Sequence, residues 1–128
     1  PLTTEGTIFI DFAQIIIGHG DYGFRNLSSQ ISYSFYFYSG GIDVYNNAAF
    51  IVDRSTLEPT NSKIAVSWNG TSVKVFIKGN NRTKSGAVAS LNNTEKISFN
   101  NNAQICKING IKLYSEQLTD AELITLTT

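Results

Sequence analysis

Apolar residues fall on every second position through much of this chain, most clearly in the stretch KIAVSWNGTSVKVFIKG from Lys63 to Gly79. Ile64, Val66 and Trp68 share one parity there, and Lys63, Ala65 and Ser67 share the other. Beyond the tetrad Trp68-Asn69-Gly70-Thr71, the residues Val73, Val75 and Ile77 alternate with Lys74, Phe76 and Lys78. A period of two built from β-branched and aromatic residues marks half-buried strands. Asn-Gly between two such runs predicts a hairpin closed by a type I′ turn, whose central residues both take positive φ. The pattern therefore predicts one buried face, including Trp68, and one wet face.

The same periodicity divides the remaining sequence into short strands. Gly6 to Phe12 sets Ile8, Ile10 and Phe12 against Thr7, Phe9 and Asp11, and a separate apolar run, Ile15-Ile16-Ile17, stops at Gly18. Three glycines make Gly18 to Gly23 a predicted loop. Ile31 to Ser39 carries Ile31, Tyr33, Phe35 and Phe37 on the apolar parity and Ser32, Ser34, Tyr36 and Tyr38 on the other. Gly40-Gly41 predicts a turn into a strand from Ile42 to Tyr45, followed by another from Ala48 to Val52 and a polar connection from Asp53 to Ser62. Weaker strands are expected at Ala87–Leu91 and Lys96–Phe99. Gln104 to Tyr114 reads as a strand pair or one bulged strand, interrupted at Asn109-Gly110. Thr119 followed by Glu122 predicts a capping box, in which each side chain satisfies a backbone N–H of the first helical turn. Leu118 and Leu123 occupy the positions of a hydrophobic staple, so a helix of about two turns should end the chain and cover one end of the fold.

Many short strands with one short helix indicate a two-sheet antiparallel sandwich, with a closed barrel as the alternative. Three segments carry a resemblance to a known family. KIAVSWNGTSVKVFIKG resembles the central hairpin of concanavalin A-like (laminin G-like) sandwich domains. INGIKLYSEQLTDAELITLTT resembles their closing strand and terminal helix, and EGTIFIDF their opening strand. The wording is most similar to sandwich domains at the ends of bacteriophage tail fibres and related virion proteins. The resemblance implies an all-β, antiparallel two-sheet jelly-roll sandwich with one short C-terminal helix, located on a virion or outside the cell.

Composition narrows the function. The 128 residues suit a single domain spanning 1–128, large enough to bury roughly two thirds of its unfolded surface. Ten basic residues balance ten acidic ones, which argues against nucleic acid or an anionic membrane as partner. No run approaches the roughly twenty apolar residues that span a bilayer, so no membrane insertion is expected. The chain opens on Pro1 and is read as a piece of a longer polypeptide. Cys106 is the sole cysteine and lies in the apolar run Ile105 to Ile108, where a buried, inert thiol is expected.

Catalytic constellations find little support. Gly18-His19-Gly20-Asp21-Tyr22-Gly23 matches the dinucleotide-binding expression G-x-G-x-x-G, and Asp43 follows about twenty residues later as such a fold requires. That fingerprint also needs a helix directly after the glycines, and the sequence returns to a strand at Ile31 instead. His19 is the only histidine and has no triad partners in reach of the sequence. Enzymes with the resembled fold carry alternating carboxylates, Glu-x-Asp-x-x-Glu, on one strand, and no strand here has them. Glu116, Asp120 and Glu122 surround the terminal helix, where capping accounts for at least one of them. The expectation is that the domain is not an enzyme. No cofactor is expected either. Ca²⁺ is conceivable by analogy with sandwich lectins, but Asp21, Asp43 and Asp53 form no carboxylate-dense run.

The aromatic residues are more informative. Tyr36 and Tyr38 alternate with the apolar row and share their parity with serines. A tyrosine ring can stack on the apolar face of a sugar while nearby Asn and Ser bond its hydroxyls. Tyr45, Asn46 and Asn47 follow the Gly40-Gly41 turn, and Tyr22 stands in the glycine-rich segment. These six residues are the candidate glycan site. The alternative is that the tyrosines cover the second sheet or a subunit contact. Two functions follow from the resemblance and the tyrosines together. One is a non-catalytic carbohydrate-binding, lectin-like module of a tail fibre or virion protein that attaches to a host-surface glycan or polysaccharide. The other is a purely structural module that oligomerises or decorates the fibre.

Overall fold

The computed structural model describes residues 5–16, 21–25, 31–38, 41–46, 49–52, 63–88, 96–100 and 105–128, with side-chain detail at 5–12, 44, 51–52, 63–88 and 108–128. The chain order is β1 (Glu5–Ile16), β2 (Asp21–Arg25), β3 (Ile31–Tyr38), β4 (Gly41–Asn46), β5 (Ala49–Phe50), β6 (Lys63–Asn69), β7 (Ser72–Ile77), β8 (Asn80–Asn81), β9 (Lys96–Asn100), β10 (Ile105–Tyr114) and α1 (Asp120–Thr127). The strands form two five-stranded sheets, ordered β10-β1-β6-β7-β8 and β5-β4-β3-β2-β9. Every pairing is antiparallel. Among the described residues the fold is mostly β with one short C-terminal helix, as the periodicity and the capping box predict.

Three local expectations are corrected. Asp21–Arg25 is a strand and not a loop: Tyr22 pairs with Phe35 and Phe99, and Phe24 with Tyr33 and Ile97. That alternating aromatic row outweighs the poor strand propensity of Gly23. The two apolar runs near the start are one strand, β1, which absorbs its irregular spacing in register shifts between Asp11, Phe12 and Gln14 opposite β10. Ala87 and Val88 belong to no strand. Gly86 (φ 79°) turns the chain there, and the Ala87 amide donates to the Lys84 carbonyl at 3.1 Å. Residues 89–91, the 18–20 segment with His19, and the 53–62 connection with Asp53 lie outside the described residues.

The central hairpin keeps the expected parity, but with Val66 opposite Val75 and Trp68 opposite Val73 its register lies two residues from the one an Asn69-Gly70 turn would set, because its turn differs. Asn69 remains in β6, paired with Ser72, and Gly70 takes the first central position at φ 58°. Glycine in that place is the mark of a type II′ turn. Asn69 is kept in the ladder by its other neighbour, Glu5 of β1, whose Oε2 accepts from Asn69 Nδ2 at 3.3 Å. The two-residue turn with positive φ at both centres occurs next along the chain, at Lys78 (50°) and Gly79 (77°) between β7 and β8.

The inner face of the first sheet supplies the main core. Ile8, Ile10, Phe12, Ile64, Val66, Trp68, Val73, Val75 and Ile77 pack in one buried cluster, and Trp68 is 1% exposed. Gly6 lies opposite Trp68, and a Cβ there would stand 2.9 Å from the indole, so the ring occupies the space glycine leaves. Val44 of β4 and the adjoining Ile51 and Val52 join the same cluster, which brings the second sheet onto the first. Ile51 also ties the sheets together through its backbone. Its amide donates to the Val44 carbonyl at 2.9 Å and its carbonyl accepts from the Lys84 amide at 2.8 Å. Val52 bridges to Thr83 beside it. Leu113, whose parity with Ile8 predicts burial, is instead 53% exposed. It sits near the end of β10, at the edge of the sheet, where the inner row has run past the core.

The hairpin does not have a wet face. Ala65, Ser67 and Phe76 are all buried on the side opposite Val66 and Val75. The terminal helix lies over that side, and Phe9, Ala65 and Phe76 pack with Leu118 and Leu123 in a second buried cluster, flanked by Tyr114 and Leu126. The helix thus covers the outer face of the first sheet. Fully burying a Leu or Phe contributes about 1.5–3 kcal/mol, so this short helix adds a second core. Its capping box is complete: the Glu122 amide donates to Thr119 Oγ1 at 3.3 Å, and Glu122 Oε2 accepts from the Thr119 amide at 2.8 Å. Lys74 Nζ reaches Asp120 Oδ1 at 2.7 Å at one end of the helix, and the Gly79 amide donates to Thr127 Oγ1 at 3.0 Å at the other.

Candidate functional site

The candidate site is placed by the strands of the second sheet. Paired residues in an antiparallel ladder lie on the same face of a sheet, and residues two apart along a strand return to that face. Val44 pairs with Phe35, and Phe35 with Tyr22, which in turn pairs with Phe99. Val44 is wholly buried in the core. Positions 22, 35, 44 and 99 therefore belong to the inner face, together with 24, 33, 37, 42 and 97 by the same registers.

The other face collects a different set of residues. Tyr36 pairs with Asp43 on one side and Asp21 on the other, and Asp21 pairs with Asn100. This makes one row across four strands, Asn100–Asp21–Tyr36–Asp43. Neighbouring strands are about 4.8 Å apart, so Asp21 and Asp43 flank Tyr36 with roughly 10 Å between their backbones. The next row is Ser98–Gly23–Ser34–Tyr45–Phe50. Tyr45 is a diagonal neighbour of Tyr36 in the register of β3 and β4, about 7–8 Å away. Tyr38, opposite Gly41, continues the same face beyond Tyr36.

Of the six candidate residues, the structure brings Tyr36, Tyr38 and Tyr45 onto one face. It places Tyr22 and Asn46 on the inner-face parity, Tyr22 in the middle of the sheet and Asn46 at the end of β4, where it pairs with Ala49. Asn47 lies outside the described residues. Ser34 shares the tyrosine face as its parity predicts, and Asp21, Gly23, Asp43, Ser98 and Asn100 join it there although the periodicity did not single them out for it. For β2 a signal existed in the alternation Asp-Tyr-Gly-Phe-Arg, obscured by the density of glycines around it. For Ser98 and Asn100 there was none, because only the pairing of β9 with β2 brings them there.

Among the described residues with side-chain detail, the one group with a shifted acidity is Glu122. The amide and hydroxyl of Thr119 hold its carboxyl below the ordinary carboxylate value. Its partners are those of the helix cap, and it takes no part in the tyrosine face. No group of three or more His, Cys, Asp or Glu stands together as a metal site among the described residues. No described helix is long and apolar enough to cross a membrane. Cys106 pairs with Ile15 between β10 and β1.

No protein-family model matches the chain, and no curated protein sequence matches it. Among solved structures it is similar to the Trypanosoma rangeli sialidase in complex with sialic acid, with a TM-score of 0.61 and 12% identity. The match takes in 95% of this chain and 22% of the sialidase, so the chain spans about a fifth of that enzyme's length. At this identity the likeness is one of fold.

Proposed function

We propose that this chain is a non-catalytic carbohydrate-binding module with the jelly-roll, concanavalin A-like architecture, borne on a phage tail fibre or related virion protein and attaching to host-surface glycan. The observation that carries the reading is the register that gathers Tyr36, Tyr38 and Tyr45 on one sheet face among serine, asparagine and aspartate positions. Flat rings beside short polar side chains are the means by which a protein holds a sugar, through stacking on its C–H face and hydrogen bonds to its hydroxyls. The two five-stranded sheets meeting in one core are consistent with the sandwich. The absence of an alternating carboxylate strand from the sequence favours binding over hydrolysis. The virion setting rests on the resemblance of the opening, central and closing segments, and fold likeness adds nothing to it.

A shallow face of this kind binds weakly per site, so attachment relies on several copies in one fibre. The test is retention of the purified chain on a column of host surface polysaccharide. Tyr36→Ala and Tyr38→Ala should each abolish retention and leave the melting temperature within a degree or two, since outer-face positions tolerate truncation. Retention that survives both substitutions sinks this assignment of the face.

A purely structural reading, in which the domain oligomerises or decorates a fibre, is favoured by one feature. Leu113 is 53% exposed on β10, and β10 pairs with β1 alone among the described residues. Loss of an oligomer in Leu113→Asp, with no glycan retained by the parent chain, would decide for it.

A further inference from the structure

The row Asn100–Asp21–Tyr36–Asp43 defines the charge of the ligand as well as its place. On the glycan-binding reading above, we infer that the face selects glycans with free hydroxyls and no acidic groups, and rejects polymers of sialic or uronic acid. Two carboxylate-bearing positions flank the central tyrosine one strand away on either side. No Lys or Arg occupies the row that contains Tyr36, the adjoining row Ser98–Gly23–Ser34–Tyr45, or the Tyr38–Gly41 pair. Among the described residues, the nearest Lys or Arg positions on this face are Arg25 and its partner Lys96, four residues along the strands from Asp21 and Asn100. At about 3.4 Å per residue they are roughly 14 Å from the Tyr36 row, beyond the Debye length of physiological salt, about 8 Å.

Charge therefore sorts the ligands. An ionised carboxylate only accepts hydrogen bonds, and a pair of vicinal hydroxyls supplies two donors to it. A sialic or uronic acid unit over the Tyr36 position would instead bring a third negative charge between two acidic positions, with no Lys or Arg among the described positions of these rows.

The experiment is a glycan array and column series with the whole chain. Mannan, galactan and chitin oligomers stand on the neutral side, polysialic acid and polygalacturonate on the acidic side. The parent chain should retain one or more neutral glycans and neither acidic polymer at physiological salt. Asp21→Asn and Asp43→Asn should each weaken neutral binding about tenfold, the scale of one charge-assisted hydrogen bond, with unchanged melting temperature. Retention of an acidic polymer as tightly as any neutral one, or neutral binding lost in Tyr36→Ala but untouched in both Asn variants, overturns the selectivity while the glycan-binding reading stands. A parent chain that binds no glycan on the array overturns both.

Discussion

The hydroxyls of Thr7 and Ser67 stand 2.7 Å apart across β1 and β6, buried beneath the segment that leads into the terminal helix. Thr7 Oγ1 donates to the Glu116 carbonyl at 2.8 Å, and the Leu118 amide donates to both hydroxyls, at 3.2 and 3.1 Å. The proton order follows. Thr7 spends its single proton on Glu116, so Ser67 donates to Thr7, and Leu118 N–H is shared between the two oxygens. A buried pair of small polar residues thus satisfies the backbone where the last strand gives way to the helix.

Ser67→Ala should cost about 1 kcal/mol, because Thr7 still accepts from Leu118. The double variant Thr7→Val/Ser67→Ala leaves the Leu118 amide and the Glu116 carbonyl without these partners. It should cost more than the sum of the two single changes. Urea denaturation of the four proteins measures the coupling, and strict additivity would show that the two hydroxyls act independently.

Removing residues 119–128 should destabilise the domain as a core mutation does, since it uncovers Phe9, Ala65 and Phe76 together. Leu123→Ala alone should cost about 2–5 kcal/mol, because the side chain is fully buried. A truncated chain that melts with the intact one would mean that the helix is not part of the cooperative unit.

Thr119→Ala should lower stability by about 1 kcal/mol through the lost cap. The same cap makes a pH prediction. Hydrogen bonds from the Thr119 amide and hydroxyl lower the Glu122 carboxyl below its unfolded value. Its contribution is therefore fully present above the unfolded carboxylate pKa and is lost as pH falls through the lower, folded one. Glu122→Gln should flatten this acid limb of the stability curve, and a limb of unchanged slope in that variant would place the titration elsewhere.

Val75 and Leu113 share the inner parity of the first sheet and should respond oppositely to the same change. Val75→Asp places an unpaired carboxylate in the main core and should cost several kcal/mol, at the extreme of single substitutions. Leu113→Asp should fall within about 0.5 kcal/mol of the parent, as surface changes do. Equal losses in thermal melts would show that β10 is covered along its length.

Much of this fold is legible along the chain because strand formation imposes a period of two on what is buried. That period places Trp68, Val66 and Val75 in the core, and the spacing from Leu118 to Leu123 across Thr119 and Glu122 states the helix and its cap. Parity alone does not say what lies above each face. Ala65, Ser67 and Phe76 read as the wet side of a hairpin, and they are buried because a helix some fifty residues later comes to rest on them. Phe9 and Phe76, large apolar residues on the polar parity, were the trace of that second core. Leu113 errs in the other direction, since a strand at the edge of a sheet keeps its period after the core beneath it has ended. The tyrosine face has the same origin. Tyr36 and Tyr38 share a face by local alternation, but Asp21, Asp43 and Asn100 reach them only through registers that join β9, β2, β3 and β4. Backbone hydrogen bonds between distant segments set those registers, and the bonds are the same whatever the side chains, so tertiary structure alone decided which residues stand beside Tyr36.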